Sequence, residues 1–314
     1  MPYDSVINRA DVDSIVPAEV SYELLNSMEQ ESAVLKMARR LRNMSVYEEK
    51  LPVLSAMATA YFPGSETGLI QTSEVNWEDK VIYAEDVAVI VPIAKNTLRD
   101  AKVPLWDEIK PEMKNAAIAA IEAAVLYGTN KPSTWPTALV TAAGTAGHSV
   151  TIGTGADLYD DILGEDGLFS KVELDGFGVT GCYSHLNMKG KLRGVRSAEG
   201  VPIFNRDPGA AMQYVLDGTP IYFPENGVPS ASYPLIVGQW RHLVYSFRQD
   251  MEFEISTQGV ISDGNGVVIS NLFQQNMVAL KLHMRLGFQL PNPINRVNTN
   301  AATRYPFAVL VPAP

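Results

Sequence analysis

Residues Met277–Leu290, MVALKLHMRLGFQL, place Val278, Leu280, Leu282, Met284, Leu286, Phe288 and Leu290 at a strict period of two. Successive side chains of a strand point to opposite faces, so this spacing predicts one long strand with a buried apolar face. The other face carries Lys281, His283, Arg285 and Gln289 and is built to stay polar. At roughly 3.3 Å per residue the strand reaches on the order of 45 Å, whereas a globular strand usually has about five or six residues. Pro291 and Pro293 end it, since neither can donate a ladder hydrogen bond. Such a strand suits an extended part better than a compact enzyme core.

The main helix is read in LWDEIKPEMKNAAIAAIEAAVLYG (Leu105–Gly128). Met113, Ala116, Ala117, Ala120, Ile121 and Ala124 form a narrow stripe at helical spacing. Pro111 clashes with the carbonyl four residues earlier in an unbroken helix. The regular helix is therefore expected to begin at Pro111, with Leu105–Lys110 as a separate turn or a kink. Gly128 and Pro132 mark its stop.

Upstream of that helix lie two segments that cannot be stable alone. Pro17, Glu19, Val20, Leu24, Leu25 and Met28 predict one short helix, and Ser32–Arg42 a second; neither can form a core, so residues 1–50 read as an arm lying on something else. From Leu51 to Ile93 the pattern is strand-like, broken by PGSETG (Pro63–Gly68), with Val75, Trp77, Val81, Val87, Val89, Val91 and Ile93. This predicts a long two-stranded excursion, which is at best marginal in water without a neighbour to pack on.

Ala138–Gly155, rich in Ala, Gly and Thr, reads as a connector with one strand at His148–Ile152. Elements then alternate: a helix over Leu158–Val172, a strand over Gly178–Tyr183, a helix over His185–Arg193, and strands over Pro220–Phe223, Leu235–Val237 and Leu243–Phe247. Alternation of this kind predicts a second, α/β domain. Strands at Met251–Ile255 and Val267–Ile269 flank SDGNG and lead back to the long strand. There is no internal repeat.

Composition bounds what these parts can do. The chain has 314 residues, 46% hydrophobic and 19% charged, enough for about two domains and a sizeable core. Its net charge of −10 excludes tight, general nucleic-acid binding, which needs a basic footprint. The single Cys182 forms no internal disulfide, and four scattered histidines give no zinc framework, so a reducing compartment is the natural reading. No signal-peptide pattern and no apolar run near 18 residues is present, so a soluble chain with no membrane role is expected.

The search for chemistry returns no site. Ser184 and His185 are adjacent, but there is no nucleophile elbow, and a turn with a helix cap explains them. Glu48/Glu49, Asp160/Asp161 and Glu165/Asp166 are sequence neighbours that diverge by about 100° on a helix and read as solvated faces. Asp263, Asn265 and Gly266 lack the remaining calcium ligands and read as a hairpin turn. Gly153 and Gly155 form a lone Gly-x-Gly, Cys182 sits in an apolar strand pattern, and His148, His185, His242 and His283 share no ligand spacing. Arg39, Arg40 and Arg42, and Lys189, Lys191, Arg193 and Arg196, are basic clusters without interleaved aromatics, so they read as solvated faces. No catalytic residue, cofactor or metal is expected.

The order of parts, with VPIAKNTLRDAKVPLWDEI (Val91–Ile109), AAVLYGTNKP (Ala123–Pro132) and NMVALKLHMRLGFQLPNP (Asn276–Pro293), resembles the major capsid proteins of tailed double-stranded DNA bacteriophages with the lambdoid-type shell fold. The resemblance spans nearly the whole chain and implies an α+β protein. Its parts are an N-terminal arm (1–50), an extended β-hairpin loop (51–92), a discontinuous peripheral domain (93–150 and 246–314) with the spine helix and long strands, and an axial α/β domain (151–245). It further implies hexamers and pentamers of an icosahedral shell around the genome, in the virion and in the host cytoplasm during assembly. Arms and loops lap over neighbours, burying Tyr61, Phe62 and Trp77. Its partners are copies of itself, a portal, possible decoration proteins, DNA by loose contact only, and a separate scaffolding protein, since the shell pattern begins within about twenty residues of Met1. Some such shells join Lys to Asn covalently with a Glu assisting; Lys80, Asn292 and Asn295 are present, no promoting Glu is matched, and no crosslink is expected. The alternatives are the shell of an encapsulin-type nanocompartment around protein cargo, and a hydrolase-like enzyme using Ser184 and His185.

Overall fold

The computed structural model describes residues 32–62, 64, 69–100, 105–195 and 214–313. In chain order, a short helix α1 (Ala33–Met37) and strand β1 (Arg39–Arg40) precede a hairpin of β2 (Glu48–Ala56) and β3 (Asn76–Tyr83). β4 (Glu85–Ala94), α2 (Lys95–Asp100), the spine helix α3 (Leu105–Tyr127), α4 (Leu139–Thr145) and β5 (Ser149–Thr151) follow. Next come α5 (Leu158–Leu163), α6 (Leu168–Leu174), β6 (Gly181–Ser184), α7 (Met188–Gly194), β7 (Tyr214–Leu216), β8 (Thr219–Tyr222) and β9 (Leu235–Gly238). β10 (Val244–Ser256), a small pair β11 (Val260–Ser262) and β12 (Val268–Asn271), β13 (Met277–Gln289) and β14 (Phe307–Val311) complete it.

The long strand forms as read. Leu280, Leu282, Met284 and Leu286 on β13 are fully buried, and they share one core with Met113, Ala117 and Ile121 of α3. β13 is central in a four-stranded sheet ordered β1-β10-β13-β4. Its partner β10 is one strand of 13 residues; the reading of two strands, Leu243–Phe247 and Met251–Ile255, is corrected, because the two register shifts near Gln249 bend the strand without ending it. β4 is a second correction. Val87, Val89, Val91 and Ile93, expected in the excursion, pair antiparallel with β13 from Glu85↔Leu286 to Ala94↔Met277. The excursion itself is the β2–β3 hairpin, whose base crosses the polar face of β13 at Gly287. A Cβ there would lie 2.5 Å from both Ile82 Cγ2 and the Tyr83 carbonyl oxygen, so only glycine allows the crossing.

The spine helix is also longer than expected. It runs unbroken through Pro111, which removes the 111→107 hydrogen bond at a cost of about 3 kcal/mol. Trp106 and Ile109 before the proline and Met113 after it pack on the same core, and this burial holds both sides in one helix. The buried face is rotated from the expected stripe: Ala116 and Ala120 are exposed, while Ile118, Val125 and Glu122 are buried.

The second unit is a six-stranded sheet ordered β5-β14-β9-β6-β8-β7. Its third correction concerns the C-terminal segment, read with the peripheral part: β14 inserts between β5 and β9, and Phe307–Leu310 are buried. A continuous apolar FAVLV fits a strand covered on both faces. The helix expected over Leu158–Val172 is two helices, broken between Gly164 and Gly167; a Cβ on Gly164 would lie 2.5 Å from the Asp160 carbonyl oxygen. The connector contains α4, whose Leu139, Val140 and Ala143 are buried. In the arm, the helix expected over Ser32–Arg42 stops at Met37, because the edge of β10 takes the backbone over: Arg39 and Leu41 N–H donate to the Leu243 and Tyr245 carbonyls, both at 2.8 Å. The helix expected at Pro17–Met28 lies outside the described residues.

Candidate assembly interface

The residues that carry chemistry elsewhere are tied up structurally here. Ser184 is fully buried and its hydroxyl donates to the Pro234 carbonyl at 2.9 Å, while His185 Nδ1 accepts the Asn187 N–H at 3.1 Å. The two make no nucleophile–base pair. Burial pushes the Cys182 thiol pKa up, so the thiolate is suppressed. Asp263 Oδ1 accepts from the Asn265 and Val267 N–H groups, closing a hairpin turn. Asp161, read as solvated, is buried: its two oxygens accept the Gly153 and Gly155 N–H groups, each at 2.7 Å. An internal carboxylate thus fills the nest that a phosphate would need. Among the described residues no group of three His, Cys, Asp or Glu could hold a metal ion, and no helix is long and apolar enough to cross a membrane.

Two buried polar hubs join the parts. His148 Nε2 lies 3.1 Å from Asp175 Oδ2 and its Nδ1 3.2 Å from the Phe307 carbonyl oxygen. Burial pushes the His148 pKa down, and Asp175 and Phe307 pull against that. Asp175 also accepts from the Tyr305 N–H and the Asn298 amide, both at 2.7 Å, fixing the loop after β13. The other hub is Glu122, which sequence reading passed over. The signal was there: it is the only charged residue between Asn115 and Leu126, one turn from Ile118 on the buried face.

The β2–β3 hairpin is buried only at its base, where Ile82 packs with Met44, Ala84 and Val244. Among the described residues, β2 and β3 pair only with each other. Trp77 is 66% exposed, Phe62 is 100% exposed, and Tyr61, Leu69 and Ile70 are exposed beside them. Large apolar side chains exposed along one hairpin and its connecting segment are the kind of surface that marks a protein contact. Val260, Val267, Val268 and Phe273 form a second exposed group around β11–β12.

Charged side chains on the body are largely answered within the chain. On the polar face of the long sheet, Lys281 faces Glu254 at 3.5 Å, and Asp86 Oδ1 lies 3.5 Å from His283 Nε2 and 2.6 Å from Arg285 Nε. Arg42 pairs with Glu49 and Arg40 binds Asn43, while Lys189 lies over the Phe223 ring. Arg196 lies outside the described residues. Lys80 and Asn292 line one cavity of about 550 Å³ at the hairpin base. Lys80 Nζ is paired with Glu78 at 2.9 Å, and the Asn292 amide donates to the Arg304 carbonyl at 2.8 Å and accepts from its Nε at 3.3 Å. Asn295 Nδ2 donates to the Asp175 carbonyl at 2.6 Å.

A spine helix over long paired strands, a second sheet beside it and a hairpin buried at its base but apolar and exposed toward its tip define a shell-building subunit. The chain belongs to the phage capsid family, whose model matches residues 13–295. It is 24% identical over 316 residues to the major capsid protein of Staphylococcus phage 80alpha, covering 99% of this chain and 89% of that one. A solved structure from Microbacterium phage Oxtober96 matches with a TM-score of 0.77 at 30% identity, over 98% of this chain and 96% of that chain. One from Mycobacterium phage Bobi gives 0.77 at 27% identity, over 98% and 96%. The fold is the phage capsid shell fold, and the protein is a structural component of the virion capsid, built from many copies.

Proposed function

We propose that this chain is the major capsid protein of a tailed phage, assembling as hexamers and pentamers into an icosahedral shell around double-stranded DNA. The observation that carries this is the outer part of the β2–β3 hairpin, where Trp77 and, in the connecting segment, Tyr61, Phe62, Leu69 and Ile70 are exposed in the single chain and need a neighbouring copy to cover them. The four-stranded sheet with α3 serves as the peripheral domain and the six-stranded sheet as the axial one, with residues 1–50 as the arm. Contact with DNA is loose. The net charge of −10 and the internal ion pairs of the long sheet leave little positive field to grip packed phosphate. A portal, a scaffolding protein and decoration proteins are the further partners of such a shell, and assembly takes place in the host cytoplasm.

Electron microscopy of particles from native cells, combined with nuclease protection, tests the reading. Protected DNA of genome length is expected; shells holding protein cargo and no DNA would place the chain with nanocompartments instead. The family and relatives favour the phage reading.

A further inference from the structure

Glu122 is fully buried on the spine helix, and its two carboxylate oxygens are divided between two parts of the molecule. Oε1 accepts the Ser32 hydroxyl at 2.7 Å and the Val34 N–H at 3.2 Å, both in the arm. Oε2 accepts the Asn226 amide at 2.6 Å and the Tyr183 hydroxyl at 3.4 Å, both from the six-stranded unit and its loops. Each of these four groups donates, so a carboxylate, with acceptors on both sides, satisfies them together. Asn226 itself is exposed, in the loop between β8 and β9. An exposed side chain therefore holds one end of a buried charge.

We propose that Glu122 is a coupling latch that makes attachment of the arm segment Ser32–Met37 depend on the position of the Asn226 loop. When Asn226 withdraws, Oε2 keeps only the long Tyr183 contact, and a buried, underpaired carboxylate is costly. The charge regains solvation by turning toward the opening left by Asn226, which draws Oε1 away from Ser32 and Val34. Ser32 is also the N-cap of α1, accepting the Leu35 N–H, so the helix loses its polar anchor and its cap geometry together and keeps only the core burial of Ala33, Val34 and Leu35. Past Ala38 the arm is held separately by its bonds to β10, so release is confined to about Ser32–Ala38.

The loop borders open space on one side and is tied to α3 where the Ser230 N–H donates to the Tyr127 hydroxyl at 3.1 Å. An open groove of about 480 Å³ lies beside Asn226, Gly227 and Val228, walled by Ala119 and Ala123 of α3 and by the stacked Tyr127 and Tyr233. Anything that presses on this loop, above all another copy of the chain, would govern the arm. That consequence rests on the shell function proposed above; the latch itself does not.

The test is amide hydrogen exchange by mass spectrometry on the full chain as unassembled subunits. It compares wild type with Asn226→Ala, which alters only an exposed residue, with Asn226→Asp, which sets a second carboxylate against Oε2, and with Ser32→Ala. Both Asn226 variants are expected to raise exchange at residues 34–38 by about tenfold or more, the ratio equivalent to one charge-assisted hydrogen bond. Ser32→Ala should match them, and β13 should exchange as in wild type. Faster exchange in Ser32→Ala with no change in either Asn226 variant would reduce Glu122 to a plain anchor and overturn the coupling. Equal acceleration of β13, or no acceleration in any variant, overturns it as well. Because subunits are measured before assembly, failure of the shell reading would show separately, as wild type forming no particles.

Discussion

Replacing Trp77 with alanine separates subunit stability from assembly. Trp77 is 66% exposed on β3 and faces Leu54 across the hairpin. In the isolated subunit its loss removes a surface cross-strand pair, a cost of about 0.2–1 kcal/mol. In the shell the exposed part of the indole is covered by a neighbour. At about 25 cal/mol per Å², covering about 160 Å² of it contributes about 4 kcal/mol at every such contact, of which alanine keeps about 1. A loss of about 3 kcal/mol weakens each contact about 150-fold. Sedimentation velocity across a concentration series should therefore show W77A shells appearing only at much higher subunit concentration, while its unassembled melting curve stays within a few degrees of wild type. Shell formation at the wild-type concentration would refute the claim that a neighbour covers this face.

Other consequences follow from the same geometry. Gly287→Ala puts a methyl group into Ile82 and the Tyr83 carbonyl, so overpacking of about 1–3 kcal/mol is expected in denaturant unfolding; a neutral result would mean the hairpin base does not cross there. Burial, aided by the positive Arg39, lowers the His242 pKa below its ordinary value, so the fold prefers the neutral ring. Stability should be full above about pH 6.5, fall as pH drops through the lowered folded pKa, and level off below it. His242→Gln should reduce that slope in melts between pH 7 and pH 5, the remainder belonging to His148, and an unchanged slope would assign all of it to other groups. With Lys80 held by Glu78 and Asn292 engaged by Arg304, shells should run on a denaturing gel as one band of about 34.3 kDa; a ladder of multiples would reveal covalent joining.

What could be read from the sequence was what each segment encodes for itself. Alternation in Val278–Phe288 specifies both the strand and its buried face, because a period of two leaves no other regular structure. Partners across the chain were harder. Val87–Ile93 alternates as well in a hairpin as against β13, and FAVLV at Phe307 suits any buried strand, so pairing is decided by tertiary fit. Local rules failed where packing outweighed them: Pro111 ends a helix in isolation, but the half-buried Trp106 and Ile109 before it and the buried Met113 after it pack on one core. The polar hubs were obscured for a related reason. Asp161 resembles any surface acid until Gly153 and Gly155 are seen to point at it, and Glu122 declares itself only as a lone charge in an alanine-rich run. The exposure of Tyr61, Phe62 and Trp77 in the single chain, by contrast, follows from the sequence, since two strands alone bury little.

The central claim, that this chain exists to enclose a volume with copies of itself, is tested most directly by electron micrographs of the purified full chain over a range of concentrations. Closed, regular shells of uniform diameter are expected. A species that stays monomeric at every concentration, with the hairpin residues still in water, would contradict it.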